Sequence, residues 1–213
     1  MKHPAIHGLY AITDPALIPD RQLLPAAEAA LRGGARLLQY RDKTATPAQR
    51  RHRASQLQTL CRQYGALFLV NDDPALAADI EADGVHIGQS DGGIARARQR
   101  LGPGKIIGVT CHGDLTLAEQ AAEGGADYVA FGRFFPSRTK PQAPPADSAI
   151  LQQARKQLAI PLVAIGGIDA ENGGRLLEQG ADALAVIHAQ FSSPAPEHVE
   201  QAARRLAALF VTG

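Results

Sequence analysis

The chain has 213 residues, with 22 Lys and Arg against 21 Asp and Glu. That formal net charge of +1 gives it no long-range field to draw in nucleic acid or an anionic membrane. Hydrophobic residues make up 45% and charged residues 20%, which excludes a disordered chain and supplies one large core. Two cysteines, Cys61 and Cys111, are too few for a disulfide framework and lack metal-ligand spacing, and no signal-type or membrane-length apolar segment occurs, so one reduced, cytoplasmic domain over residues 1–213 is expected.

Apolar runs then alternate with helix-length stretches. The run at 9–13 leads through a helix carrying Leu23, Leu24, Ala27, Ala30 and Leu31 to a second run at 35–41. A helix marked by Leu57, Leu60, Cys61 and Tyr64 precedes the run at 66–71, and helices beginning at Pro74 and Gly92 precede those at 84–88 and 106–110. Helical stretches at 115–123, 149–158 and 172–179 lead to runs at 128–132, 162–167 and 183–188, and a last helix covers 198–210. The three- and four-residue apolar spacing gives each helix one stripe to lay on a sheet. The runs are continuously apolar, as in parallel strands covered on both faces. Eight such units predict an α/β protein with a single (β/α)8 TIM-barrel domain. Gly34-Ala35-Arg36, Gly125-Ala126-Asp127 and Gly180-Ala181-Asp182, with Ala82-Asp83-Gly84 as a looser version, recur between helix and strand. Turn chemistry and internal duplication explain this repeat equally well, so it supports the fold and carries no functional weight.

In such a barrel the chemistry sits where the strands run out. Asp72 and Asp91 follow neighbouring strands, and two carboxylates there can share a hard cation such as magnesium, completed by substrate phosphate and water. Capping of the helices at Pro74 and Gly92 is an equally good reading of the same two acids. Arg41 and Lys43 after the second strand and Lys140 after the sixth converge on one rim, which favours a polyanion such as diphosphate over scattered surface charge. Gly166-Gly167 and Ile187-His188 end strands seven and eight, where barrels commonly hold a phosphate on backbone N–H groups. His86, His112 and His188 could act as bases, though His86 reads better as a satisfied structural residue. Cys111 has no evident activating base, and Asp42 is expected to orient Arg41 or Lys43. The proline-containing stretch 136–145 reads as a binding loop or lid.

Taken in order, several segments resemble the thiamine phosphate synthase family over nearly the whole chain. They are Gln39-Tyr40-Arg41-Asp42-Lys43, Val70-Asn71-Asp72, Asp83-Gly84-Val85-His86-Ile87-Gly88-Gln89 with Asp91, and Ile107-Gly108-Val109-Thr110. Phe131-Gly132 with Phe135-Pro136-Ser137-Arg138-Thr139-Lys140, then Ala164-Ile165-Gly166-Gly167-Ile168 and Ala185-Val186-Ile187, complete the set. The resemblance implies a transferase that joins hydroxymethylpyrimidine diphosphate to a thiazole phosphate, giving thiamine phosphate and diphosphate, with these small molecules as its partners. It implies that Asp72 and Asp91 hold Mg2+ and that Arg41, Lys43, Asn71 and Lys140 bind the diphosphate, with Arg41, Lys43 and Lys140 as the catalytic cations. It also implies that Gln39 contacts the pyrimidine beside Thr110, that Ser137 and Thr139 line the thiazole phosphate side, and that Gly167 and the Ile187-His188 backbone hold that phosphate. Arg133 stands where many relatives have proline, and His188 where a small hydroxyl residue is common. The rival readings are a thiazole tautomerase of the same superfamily with a histidine base, a non-catalytic barrel that binds a phosphate ligand, and a Schiff-base aldolase using Lys140. The joint presence of Asp72, Asp91, Lys43 and Lys140 favours the synthase.

Overall fold

Eight strands and nine helices alternate in the computed structural model, which describes residues 6–139 and 142–211. The strands are Gly8–Ile12 (β1), Ala35–Tyr40 (β2), Leu67–Asn71 (β3), Gly84–Ile87 (β4), Ile106–His112 (β5), Tyr128–Phe131 (β6), Leu162–Ile165 (β7) and Ala183–Val186 (β8). All pairings are parallel and run in sequence order, and β1 pairs with β8 to close the barrel. The helices are Leu23–Arg32 (α1), Pro47–Tyr64 (α2), Pro74–Asp79 (α3), Gly93–Leu101 (α4), Leu115–Glu123 (α5), Ala149–Gln157 (α6), Gly173–Glu178 (α7), His188–Phe191 (α8) and Pro196–Ala208 (α9). Among the described residues no helix is long and apolar enough to cross a membrane.

The strand period of two sorts the apolar side chains into two cores. Leu9, Leu38, Phe68, Val85, Ile107, Val129, Leu162 and Leu184 point outward and pack under the helices. Tyr10, Ile12, Leu37, Leu69, Tyr128, Val163 and Ala185 fill the barrel itself. Room for the two tyrosines comes from small residues beside them in register: Ala185 next to Tyr10, and Gly108 next to Tyr128. A Cβ on Gly108 would lie 1.9 Å from the Tyr128 ring, so only glycine fits there.

Helix signals act locally. Thr46 and Gln49 form a capping box at α2, Pro47 occupies its first turn, and Gly65 at φ 64° stops it. Helix α9 begins at Pro196 rather than 198, because proline there needs no N–H partner and presets the helical φ. Strand β5 runs two residues past the expected end, to His112, through a register shift between Thr110 and His112 that places Cys111 in the outer core. The last apolar run ends early: β8 stops at Val186, and His188 starts the short α8.

The repeated aspartates close the barrel at its N-terminal face. The Asp83 carboxylate accepts from Phe68 N at 2.8 Å, at the start of β3. The Asp127 carboxylate accepts from Ile107 N at 2.8 Å and from the Arg98 guanidinium at 2.8 Å. Asp182 repeats the arrangement with Leu162 N and Arg155. Each carboxylate satisfies an N–H at the start of the preceding strand, which explains the repeat as a structural staple. Asp127→Ala strands the Ile107 N–H and leaves Arg98 with only its bonds to the Lys105 and Gly125 carbonyls, so it should cost about 2 kcal/mol in urea unfolding.

Candidate active site

At the C-terminal rim a cavity of about 590 Å³ opens over the barrel. It is lined by Gln39, Arg41, Lys43, Asn71, Asp72, Asp91, Thr110, Ser137, Thr139, Gly167, Ile187 and His188, so every expected site residue within the described portion meets there. Lys140 lies outside the described residues.

Charge at the rim is arranged in pairs. Lys43 Nζ lies 3.0 Å from Asp72 Oδ2, and Arg41 Nη1 lies 3.2 Å from Asp14 Oδ2. The Arg41 backbone is fixed as well, donating to Thr13 Oγ1 at 3.0 Å. Asp14, rather than Asp42, therefore orients Arg41. The Asp42 carboxylate instead accepts from Thr44 N, Thr44 Oγ1 and Ala45 N at 2.9–3.0 Å and from Arg53 at 2.9 Å, organising the turn into α2. Its place at the first corner after β2 puts it within reach of those N–H groups and away from its charged neighbours.

Neither rim acid caps a helix through its side chain. Asp73 caps α3, accepting from Leu76 N at 2.9 Å, and the cap of α4 is Gly92 at φ 88°, with no side-chain bond. Asp72 takes a left-handed backbone at φ 60°, which turns its carboxylate over the rim at a cost of about 1 kcal/mol. Burial alone would raise the Asp72 carboxyl, but the Lys43 ammonium and a hydrogen bond from Asn71 hold it below the ordinary carboxylate value. Asp91 is steadied by its own turn, accepting from Gly88 N at 2.7 Å. Among the described residues no group of three or more His, Cys, Asp or Glu side chains could enclose a metal. Two adjoining carboxylates without a third ligand suit a hard cation whose other positions come from substrate oxygens and water, and suit poorly a closed structural zinc site.

The opposite wall is built by the glycine turn after β7. Gly166 and Gly167 have φ 103° and 67°, and side chains there would meet Arg133 Cβ at 2.3 Å and Pro136 O at 2.5 Å. Phe135 N donates to Gly166 O at 3.0 Å and Asn172 Nδ2 to Gly167 O at 3.0 Å, so the β6–α6 loop lies directly on this turn. Arg133 Nε donates to the Ala143 carbonyl at 2.7 Å, tying the two sides of that loop together. Arg138 reaches the same wall, with Nη1 3.4 Å from His188 Nε2. In the sequence Arg138 lies between Ser137 and Thr139, and that position is the signal for it.

Beneath the cavity runs a connected set of polar side chains. Gln39 Nε2 donates to Tyr10 Oη at 2.6 Å, and Tyr10 Oη meets Tyr128 Oη at 2.9 Å. Tyr128 Oη lies 2.8 Å from His86 Nδ1, and His86 Nε2 lies 2.8 Å from Thr110 Oγ1. His86 thus fills the barrel with both ring nitrogens engaged. Tyr10 and Tyr128 carry no sequence signal for this role, because aromatic residues in apolar runs read as core. Burial pushes both phenols upward, so both remain protonated.

The thiamine monophosphate synthase family (TMP-TENI) model matches residues 9–190. The chain is 66% identical over 207 residues to the thiamine-phosphate synthase of Alcanivorax borkumensis, covering 97% of this chain and 95% of that one. It is 54% identical over 208 residues to that of Acidithiobacillus ferrooxidans, covering 96% and 94%. Among solved structures, the thiamine phosphate pyrophosphorylase from Pyrococcus furiosus superposes with a TM-score of 0.85 at 35% identity, covering 96% of each chain.

Two outcomes follow from these environments. Burial pushes the thiols of Cys61 and Cys111 up to about 12, so neither should react with a thiol-specific dye at pH 8 in the folded protein, and both should react in urea. For Asp42, burial alone would raise the carboxyl, but the hydrogen bonds from Thr44 and Ala45 and the charge of Arg53 bring it below the ordinary 3.8. A depressed folded value stabilises the protein above 3.8 and loses that contribution as pH falls through the folded value. Asp42→Asn should therefore lower the urea midpoint at pH 7, with a penalty that shrinks below pH 3.8.

Proposed function

We infer, from the premise that the chain belongs to the thiamine monophosphate synthase family, that the rim cavity couples a pyrimidine diphosphate to a thiazole phosphate. The chain is a transferase, a thiamine-phosphate synthase. One observation supports the assignment of roles above all: Asp72, Asp91, Arg41 and Lys43 line the same cavity as Gln39 and Thr110. A leaving diphosphate and a neutral heterocycle need just such adjoining surfaces.

In this reading Gln39 and Thr110 bind the pyrimidine ring, and Arg41, Lys43, Asn71 and Lys140 bind its diphosphate. Asp72 and Asp91 hold Mg2+, which when bound supplies positive charge against the phosphate oxygens. As the bond between the pyrimidine methylene carbon and the diphosphate oxygen breaks, its electron pair leaves with the diphosphate. Arg41 and Lys43 stabilise the charge that accumulates there. Both are preorganised for this, since Asp14 and Thr13 fix Arg41 and Asp72 holds Lys43. The aminopyrimidine spreads the positive charge left on the methylene carbon, and the thiazole nitrogen donates its lone pair to form the new C–N bond. Gly167 and the Ile187-His188 backbone hold the thiazole phosphate, with Ser137 and Thr139 beside it.

No protein nucleophile takes part. Cys111 is buried in the outer core, and His86 has both ring nitrogens engaged. The remaining work of the barrel is to align two rings and to exclude water, which would capture the same carbon. The free, buried Cys61 and Cys111 support a reducing compartment, the cytoplasm.

Diphosphate release should require both substrates and a divalent cation, be abolished by chelation and return with magnesium. Asp91→Asn should lower turnover by about 100-fold with an unchanged unfolding midpoint. Wild-type turnover in that variant, or metal-independent release, would overturn the assignment.

A further inference from the structure

The polar side chains across the barrel floor form one continuous chain of hydrogen bonds. Gln39 donates through Nε2 to Tyr10 Oη, and of the two directions open to the Tyr10–Tyr128 bond, the one that carries the chain onward sends the Tyr10 hydrogen to Tyr128 Oη. In that direction Tyr128 donates to His86 Nδ1. An accepting Nδ1 leaves the proton of neutral His86 on Nε2, which donates to Thr110 Oγ1. Thr110 then has its own hydroxyl hydrogen left for the cavity, and Gln39 has its carbonyl oxygen left for the same space. One end of the chain offers an acceptor and the other a donor.

Resting on the synthase reading for the identity of the ring, we propose that Tyr10, Tyr128 and His86 are positioning residues that set the donor and acceptor pattern read by the pyrimidine pocket. That pattern matches a 4-aminopyrimidine, whose exocyclic amine donates and whose ring nitrogen accepts. A 4-oxopyrimidine presents the reverse at those two positions, so the floor rejects it by leaving buried polar groups facing like groups. Reversing the pattern requires both tyrosine hydroxyls, the His86 tautomer and the Gln39 amide to turn over together. The two phenols are fully buried and close-packed against Ala185 and Gly108, which keeps them in line. The chain is therefore a specificity device that reads the substrate through Gln39 and Thr110, with Tyr10 and His86 also lining the cavity between them.

Tyr128→Phe removes the central link while keeping the ring that fills the barrel. His86 Nδ1 then loses its donor and Tyr10 its acceptor, so the His86 tautomer and the Gln39 amide become free to reverse. In Tyr128→Phe the preference for the 4-amino over the 4-oxo pyrimidine diphosphate, measured as a ratio of kcat/KM, should fall by about 10-fold or more, while KM for the thiazole phosphate stays unchanged. Nitrogen-15 NMR of histidine-labelled enzyme without substrate should show His86 as the neutral Nε2–H tautomer in the wild type and as a mixture in the variant. An Nδ1–H tautomer in the wild type would overturn the proposal, as would undiminished discrimination in a folded Tyr128→Phe. If that variant fails to fold, Tyr10→Phe breaks the neighbouring link and should lower the same ratio; unchanged discrimination there would overturn the proposal equally. Absence of diphosphate release from either pyrimidine by the wild type would count against the synthase reading, and the His86 tautomer would still judge the direction of the chain.

Discussion

The pairing of β1 with β8 is the constraint on which everything else in this molecule depends. Gly8 to Ala11 lie in register with Ala183 to Val186, so residues from the two ends of the chain complete the sheet and leave no edge. Closure with all strands parallel sends every strand's C-terminal end to one rim. Gln39, Asp72, Asp91, Thr110 and His188 are spread over most of the chain, and they line one cavity for that reason alone. Closure also limits the interior to what eight strands can enclose. Large tyrosines at Tyr10 and Tyr128 fit because Ala185 and Gly108 stand beside them.

The two ends of the barrel use the same residue type for opposite purposes. At the N-terminal face Asp83, Asp127 and Asp182 accept strand N–H groups, and two of them also bind an arginine from the preceding helix. Asp42 and Asp73 organise the turns into α2 and α3. Asp72 and Asp91 are left with carboxylates directed to the cavity, one of them on a left-handed backbone. Stability is thus concentrated where the strands begin and chemistry where they end. Of the two aspartates proposed to hold the cation, Asp72 is paired with Lys43 and Asp91 accepts from Gly88 N.

The barrel was legible from the order of apolar runs and helical stripes, since each run's continuous hydrophobicity and each helix's spacing report directly on burial. The convergence of Arg41, Lys43, Asp72 and Asp91 was legible too, because parallel strand ends must share a rim. Local competition for hydrogen bonds was harder to see. Whether Asp72 or Asp73 caps α3 depends on which carboxylate reaches Leu76 N, and adjacent aspartates give the same pattern in a sequence. The pairing of Arg41 with Asp14, rather than with its neighbour Asp42, likewise depends on how two loops meet.

The amino-acid sequence by itself determined the number and order of elements, the rim on which the charged groups gather and the family likeness carried by its strand-end motifs. Those properties follow from periodicity and short-range spacing, which a linear chain records in full. Tertiary structure alone decided that Tyr10, Tyr128 and His86, drawn from β1, β6 and β4, join Gln39 to Thr110 in one chain of hydrogen bonds. A hydrogen bond is made at less than 3 Å and in one direction, and only the closed barrel brings side chains from non-adjacent strands to that distance.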